Sequence, residues 1–181
     1  TNFSKIDYIF IPTGDGNILT GIYKGFYDLL KTNIIDYIPK LVAVQAQNSS
    51  AIVKAFHTDG KINKESGSTI ADSISVSLPR DGEFALTALK NSNGLAISVS
   101  DDEIINAIFK LAKTTGIFVE PAGATGFAGF IKACSSGIIK SSDIVVLLLT
   151  GSGLKDTKSV MDNIKMPELI EPKIWSLEVL L

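Results

Sequence analysis

The sequence predicts an α/β fold, a mainly parallel sheet flanked by helices, on three observations. Short apolar runs recur between amphipathic, helix-patterned stretches, and strands alternating with helices build parallel sheets. The runs "YIFIP", "LVAVQA" and "DIVVLLLT" are almost continuously apolar, as strands covered on both faces are. The first and last run straight into glycine turns, "TGDGN" and "TGSG", and open α/β sheets take their ligands outside the carboxyl ends of the strands.

The first run stops at Pro12. A helix is predicted from Asn17, with Ile18, Ile22, Phe26, Leu29 and Leu30 at helical spacing, ending before "IIDYIPK". Residues 41–46 form the second strand, and "SSAIVKAF" a helix capped by Ser49 or Ser50. Residues 57–82, polar and rich in Gly and Ser, keep no period and read as a long irregular excursion. "EFALTALKNSNG" gives a helix ended by Gly94, and "LAISVS" a strand. Ser100 and Glu103 make a capping box that opens a helix with Ile104, Ile105, Ile108, Leu111 and Ala112 on one face. After the short extended "IFVEP" comes "GATGFAGFIKACSSG", a helix dense in small residues that lets a neighbouring backbone approach. "DIVVLLLT" is the strongest strand pattern of the chain. The expected organisation is one α/β unit over 1–156, with about four strands, and a weakly patterned tail over 157–181, broken by Pro167 and Pro172.

Composition narrows the function classes. The 181 residues are 45% hydrophobic and 20% charged, with net charge −2, as a globular domain with a core requires. A single arginine, Arg80, and no basic excess speak against nucleic-acid binding. There is no apolar run of about 18 residues to span a membrane and no basic-then-apolar leader. One cysteine, Cys134, suggests a reducing cytoplasm and reads as packing, not as a nucleophile. His57 closes a helix, where a dipole contact accounts for it. No ligand cluster suggests a metal.

A strand, a glycine turn and a helix start together make an anion site, because first-turn N–H groups lack intrahelical partners. Gly14 and Gly16 let the backbone approach a phosphate, and Asn17 adds an amide donor. Asp15 would repel a phosphate, so it is expected to point away or to order the turn. A plain turn with a helix cap is the alternative. Leu19 breaks the dinucleotide fingerprint and no Gly-Lys-Ser/Thr follows, so neither a Rossmann site nor a P-loop is indicated. Thr150, at the lip of the sheet, either meets a ligand or simply closes a strand.

"PTGDGNILTGIYKGF", "LVAVQA", "TIADSISVSLPRDG", "VSDDEI", "GIFVEPAGATGFAG" and "LLLTGSGLKD" stand in the order and spacing of the C-terminal part of the threonine synthases. These belong to the fold-type II pyridoxal phosphate enzymes, the tryptophan synthase β-like fold, and the chain resembles them over residues 7–156. The resemblance implies pyridoxal 5'-phosphate as cofactor. It matches Gly14, Asp15, Gly16, Asn17 and Ile18 to the loop that wraps the cofactor phosphate, and Thr150 to the hydroxyl facing the pyridine nitrogen. A neutral hydroxyl there makes the ring a weaker electron sink than an Asp partner would. Glu120 either faces the ring or caps the helix that Pro121 starts. Arg80 is a substrate-side candidate by charge alone, with a solvated loop as its other reading. Where the family often reads Thr-Gly-His-Gly-Leu-Lys-Asp, this chain has Ser152 in the His position, which removes any imidazole role there.

The implied reaction is conversion of O-phospho-L-homoserine and water to L-threonine and phosphate. In the family the Schiff-base lysine lies in an N-terminal Ser-Phe-Lys-Asp-type motif, and no such motif occurs in these 181 residues. No catalytic residue is therefore assigned here. The chain, which begins at Thr1 with an apolar run close behind, is expected to be a piece of a longer enzyme, inactive without its N-terminal half. Its expected partners are that half, a small amino-acid substrate and further copies of itself. Alternatives are threonine dehydratase, cysteate synthase or cysteine synthase, and a non-catalytic phospholigand-binding α/β domain.

Overall fold

The structure is a computed structural model that describes residues 5–65 and 67–165 together with Leu169 and Lys173. Ten elements follow one another: β1 (Tyr8–Pro12), α1 (Asn17–Lys31), β2 (Lys40–Ala46), α2 (Ala51–His57), α3 (Gly82–Asn91), β3 (Leu95–Val99), α4 (Asp101–Thr115), α5 (Pro121–Ser135), β4 (Val145–Leu147) and α6 (Lys158–Met161). The four strands form one parallel sheet in the order β3-β2-β1-β4. Side chains alternate across it. Ile9, Ile11, Leu41 and Ala43 join a core under α1, α2 and α3. Phe10, Val42 and Val44 join a second core under α4 and α5. Two covered faces explain the unbroken apolar runs of β1 and β2.

The small residues of α5 bring it down onto the sheet. A Cβ on Gly126 would sit 3.2 Å from Pro12, and one on Gly129 would overlap the Val44 side chain. At α4 the capping box is formed: Ser100 Oγ accepts from Glu103 N–H (3.1 Å), and Glu103 Oε2 accepts from Ser100 N–H (2.7 Å). The second half of the irregular excursion is tied down at two places. Thr69 Oγ1 and Ile70 N–H donate to the Asp101 carboxylate (2.5 and 3.2 Å), and Val76 N–H donates to Ser49 Oγ (2.9 Å).

Several expectations are corrected. "DIVVLLLT" forms only a three-residue edge strand, β4. Its ladder with β1 closes where Leu148 N–H donates to Phe10 O (3.0 Å). Pro12, two residues past Phe10 and so facing the same neighbour, has no N–H to continue it. Neither Ser49 nor Ser50 caps α2 through its side chain. Both hydroxyls are engaged elsewhere: Ser50 Oγ donates to Gln47 O of a short 3₁₀ turn, Gln47–Ser49 (2.9 Å), and Ser49 binds the 74–76 segment. Cys134 is exposed, because the register of α5 turns its neighbour Ala133 to the core instead. Its partly covered thiol is pushed up by desolvation, against a smaller lowering by Lys110. Cys134 is therefore expected to alkylate more slowly at neutral pH than an unperturbed thiol, measurable with iodoacetamide by mass.

His57 lies at the C-terminal end of α2, with Nε2 donating to the Ala96 carbonyl of β3 (2.8 Å). Helix α1 has only Leu19 buried; Ile18, Tyr27 and Leu29 are exposed, as is Phe84 of α3. Of the tail 157–181, residues 157–165, with α6, and Leu169 and Lys173 lie within the described residues, and Pro167 and Pro172 lie outside them.

Candidate functional site

Chain order makes a crevice. From β1 the chain steps to β2 and β3 on one side, with α1, α2 and α3 on one face of the sheet. Then α4 and α5 carry it over the other face to β4, on the far side of β1. The strand order reverses between β1 and β4, and open α/β sheets bind ligands where this happens. "TGDGN" leaves β1 and "TGSG" follows β4, so both glycine turns border that point.

Gly16 is the N-cap of α1, in the left-handed region (φ 99°), and no side chain caps the helix. The first intrahelical bond is Thr20 N–H to Gly16 O (2.9 Å), which leaves the first-turn N–H groups of Asn17, Ile18 and Leu19 for another acceptor. Residues 12–19, with Ser73 and Ile74, line a cavity of about 190 Å³ there. The glycines serve close approach behind the turn. A Cβ on Gly14 would lie 3.0 Å from Ile74 Cα, and one on Gly16 would lie 3.0 Å from Ala85 Cβ and 3.1 Å from Asp81 O.

Asp15 is turned to the neighbouring loop. Its Oδ1 accepts Arg80 N–H (3.0 Å), and its carbonyl accepts Asp81 N–H (3.1 Å). It orders the turn, as expected, by latching it to the start of α3. Replacing Asp15 with alanine removes one such bond and is expected to cost about 1 kcal/mol. A melting curve should then shift down by roughly 2–4 °C for a chain of this size.

Gln45, fully buried near the end of β2, joins two elements. Its Oε1 accepts Val53 N–H of α2 (3.0 Å), and its Nε2 donates to Gly14 O (3.5 Å). It supplies the α2 cap that the serines do not.

The second turn is zipped to the chain before α5. Glu120 N–H donates to Gly151 O (3.2 Å), Gly153 N–H donates to Phe118 O (3.1 Å), and Val119 bridges Ser152. Thr150, half-buried, has its carbonyl so close to Gly123 of α5 that a Cβ there would overlap it. Ser152 Oγ accepts Leu154 N–H in its own turn (3.3 Å). Glu120 is buried, and its carboxylate packs against Gly151 (φ 67°), whose missing side chain makes the room. It stands at the N-cap position of α5 without a side-chain capping bond, and its carboxylate pairs with Lys155 (2.9 Å).

A second cavity, about 270 Å³, is lined by Glu120, Lys155, Asp156, Asp72 and Ser73 among others. Ser73 borders both cavities. Hydrogen bonds from Ser159 hold Asp156 below the ordinary carboxylate range. Because its folded-state pKa is depressed, the stabilisation is present above the unfolded value, about 3.9, and is lost as pH falls through the lower folded value. Acid should therefore loosen α6, and Ser159→Ala should move the Asp156 titration up, both readable from the Asp156 side-chain resonance.

The structure thus brings Gly14, Asp15, Gly16, Asn17 and Ile18 to one cavity, and Thr150 and Glu120 to the adjoining turn. Arg80 contributes its main chain to the Asp15 latch, and its side chain is exposed outside both cavities. Gln45, Ser73 and Lys155 were not singled out by the sequence. Ser73 lies in "TIADS" and Lys155 in "GSGLKD", within family-like strings. Gln45 had one signal, a polar side chain in an otherwise apolar strand.

An open parallel sheet whose order reverses beside a glycine turn at a helix start is a plan that many ligand-binding α/β folds share. Solved structures of the fold-type II pyridoxal phosphate class narrow it. Threonine deaminase isoform 2 from Solanum lycopersicum matches 88% of this chain and 44% of its own with TM-score 0.71 at 23% identity. L-serine ammonia-lyase from Rhizomucor miehei matches 90% of this chain and 51% of its own with TM-score 0.70 at 21% identity. The chain belongs to the pyridoxal-phosphate dependent enzyme family, whose model matches residues 1–151. It is 37% identical to threonine synthase of Methanocaldococcus jannaschii over 172 residues, 94% of this chain and 42% of that protein. It is also 37% identical to threonine synthase of Methanosarcina acetivorans over 175 residues, 96% and 43%. The chain thus spans less than half the length of these relatives.

Pyridoxal phosphate is the family's cofactor. The chain's residues fit its phosphate: an uncapped helix start and a glycine turn border the first cavity, and such a terminus favours an anion. Among the described residues no cluster of three or more His, Cys, Asp or Glu could hold a metal.

Proposed function

We propose that the chain is the cofactor-phosphate portion of a threonine synthase, converting O-phospho-L-homoserine and water to L-threonine and phosphate. The observation that carries the reading is the anion turn at the strand-order reversal, Gly14–Ile18 between β1 and α1. The choice of reaction leans on the 37% identity to two threonine synthases.

In this reading the N–H groups of Asn17, Ile18 and Leu19 hold the cofactor phosphate, and the Asp15 latch keeps the turn closed. Thr150 presents a neutral hydroxyl to the pyridine nitrogen. The bound cofactor supplies an electron sink for charge that develops on the substrate. Glu120, paired with Lys155, borders the cofactor side, and Arg80, exposed outside both cavities, is a substrate-side candidate by charge alone. The Schiff-base lysine, and with it most proton transfer, belongs to residues beyond these 181. Residues 1–156 form the cofactor-binding portion and 157–181 its tail. The chain alone is inactive. A homo-oligomer is part of the reading, supported by the exposed apolar side chains of α1. So is a cytoplasmic location, supported by a lone cysteine and by the lack, among the described residues, of a helix able to cross a membrane.

The test joins the chain to a lysine-bearing N-terminal half and assays phosphate release from O-phosphohomoserine. Release by the joined enzyme and none by the chain alone is the expected result. Ammonia release from threonine without that activity would replace the reading with a dehydratase.

A further inference from the structure

We infer that Gln45 is the positioning residue of the glycine turn: its amide aims the Gly14–Asp15 peptide, and its lack of charge keeps the turn fit for an anion. The inference rests on the proposed role of the turn as a phosphate cradle.

Gln45 is 0% exposed, in register opposite Ser98 of β3. Its two amide ends do different jobs. Oε1 accepts from Val53 N–H, one of the first-turn donors of α2, a group that is costly to bury unpaired. Nε2 donates to Gly14 O. The second bond sets a direction. In a trans peptide the C=O and the following N–H point opposite ways. With Gly14 C=O drawn back to Gln45, the Asp15 N–H of that peptide points away from β2, at a residue that lines the cavity. The other side of Gly14 rests on Ile74 and Val76, so the peptide is held between the two.

Among side chains of this length, only an amide accepts at one end and donates at the other without taking up a proton. Glutamate at 45 would keep the Val53 bond and lose the donor. It would also set a buried negative charge against the Gly14 carbonyl and beside the proposed anion. Its protonated form, with one O–H donor, restores the pattern of glutamine. Burial and the neighbouring carbonyl raise the pKa of such a carboxyl, which brings this switch into an accessible pH range.

The test uses this chain with Gln45→Glu and Gln45→Met. Backbone-amide hydrogen exchange at residues 14–19 and at Val53, without ligand, reads positioning. Titration with inorganic phosphate, followed at the same amides between about pH 5.5 and 8, reads the anion. Affinities are taken as ratios to wild type at each pH. Expected for Gln45→Glu is a loss of about tenfold or more at the high end, recovered as pH falls. Gln45→Met should exchange faster around Gly14 and bind more weakly at every pH. If Gln45→Met does not fold, the acid form of Gln45→Glu carries the test. Wild-type affinity for Gln45→Glu at every pH would overturn the charge half. Unaltered exchange in the variants would overturn the positioning half, whether or not phosphate binds. Wild-type amides that ignore phosphate would overturn the cradle reading itself, and the charge half with it.

Discussion

Replacing Gly123 with valine is expected to destabilise the protein by about 3 kcal/mol or more, at the upper end of overpacking effects, and to displace Thr150. A Cβ at 123 would overlap the Thr150 carbonyl oxygen and crowd the rest of that backbone. Helix α5 has no room to retreat, since Gly126 rests on Pro12 and Phe10 O, and Gly129 on Val44. Thr150 is held too, because the turn after it is bonded to Phe118 and Glu120. Something buried must move, and the polar group beside the crevice is what the substitution meets first. Gly21→Ala is the internal control. It lies inside α1, a Cβ there meets nothing within 4 Å, and alanine should gain about 0.5–1 kcal/mol over glycine. Chemical denaturation of the two variants should give opposite signs.

The second large effect is at Gly16. Valine there must adopt φ 99°, a region disfavoured for β-branched residues. Its Cβ would also press on Ala85 and on the Asp81 carbonyl. Strain of about 1–2 kcal/mol in the residue that opens α1 moves the donors of Asn17, Ile18 and Leu19. Phosphate affinity is expected to fall by about tenfold or more, by the usual conversion of 1.4 kcal/mol per decade. Stability should fall with it. A variant that melts lower yet binds phosphate as before would separate the turn's shape from its binding and overturn the cradle.

Where periodicity was strong, the elements were legible. Helices α1 and α4, the cap at Ser100 and the strands β1 and β2 follow from apolar spacing and local capping chemistry, which act within a few residues. The small-residue stretch of α5 announced its close approach to the sheet, though not the particular contacts of Gly123 and Gly129. What stayed illegible depends on partners distant in sequence. The shortness of β4 comes from Pro12, more than 130 residues earlier. The α2 cap comes from Gln45 across a turn, and the Glu120–Lys155 pair from a loop folding back. The turn Gly14–Ile18 was visible because its chemistry is local. Arg80 had two readings, because charge alone does not say which way a loop residue faces, and its exposure fits the solvated loop.

The proposed role of the Gly14–Ile18 turn is to take the phosphate of pyridoxal phosphate. Its most direct test is an amide-resonance titration of the isotope-labelled chain with pyridoxal phosphate and, in parallel, with pyridoxal lacking the phosphate. Saturating shifts are expected at Gly16, Asn17, Ile18 and Leu19 with the phosphorylated compound and none there without the phosphate. Equal shifts from both compounds, or shifts confined to other helix starts while these four stay still, would contradict it.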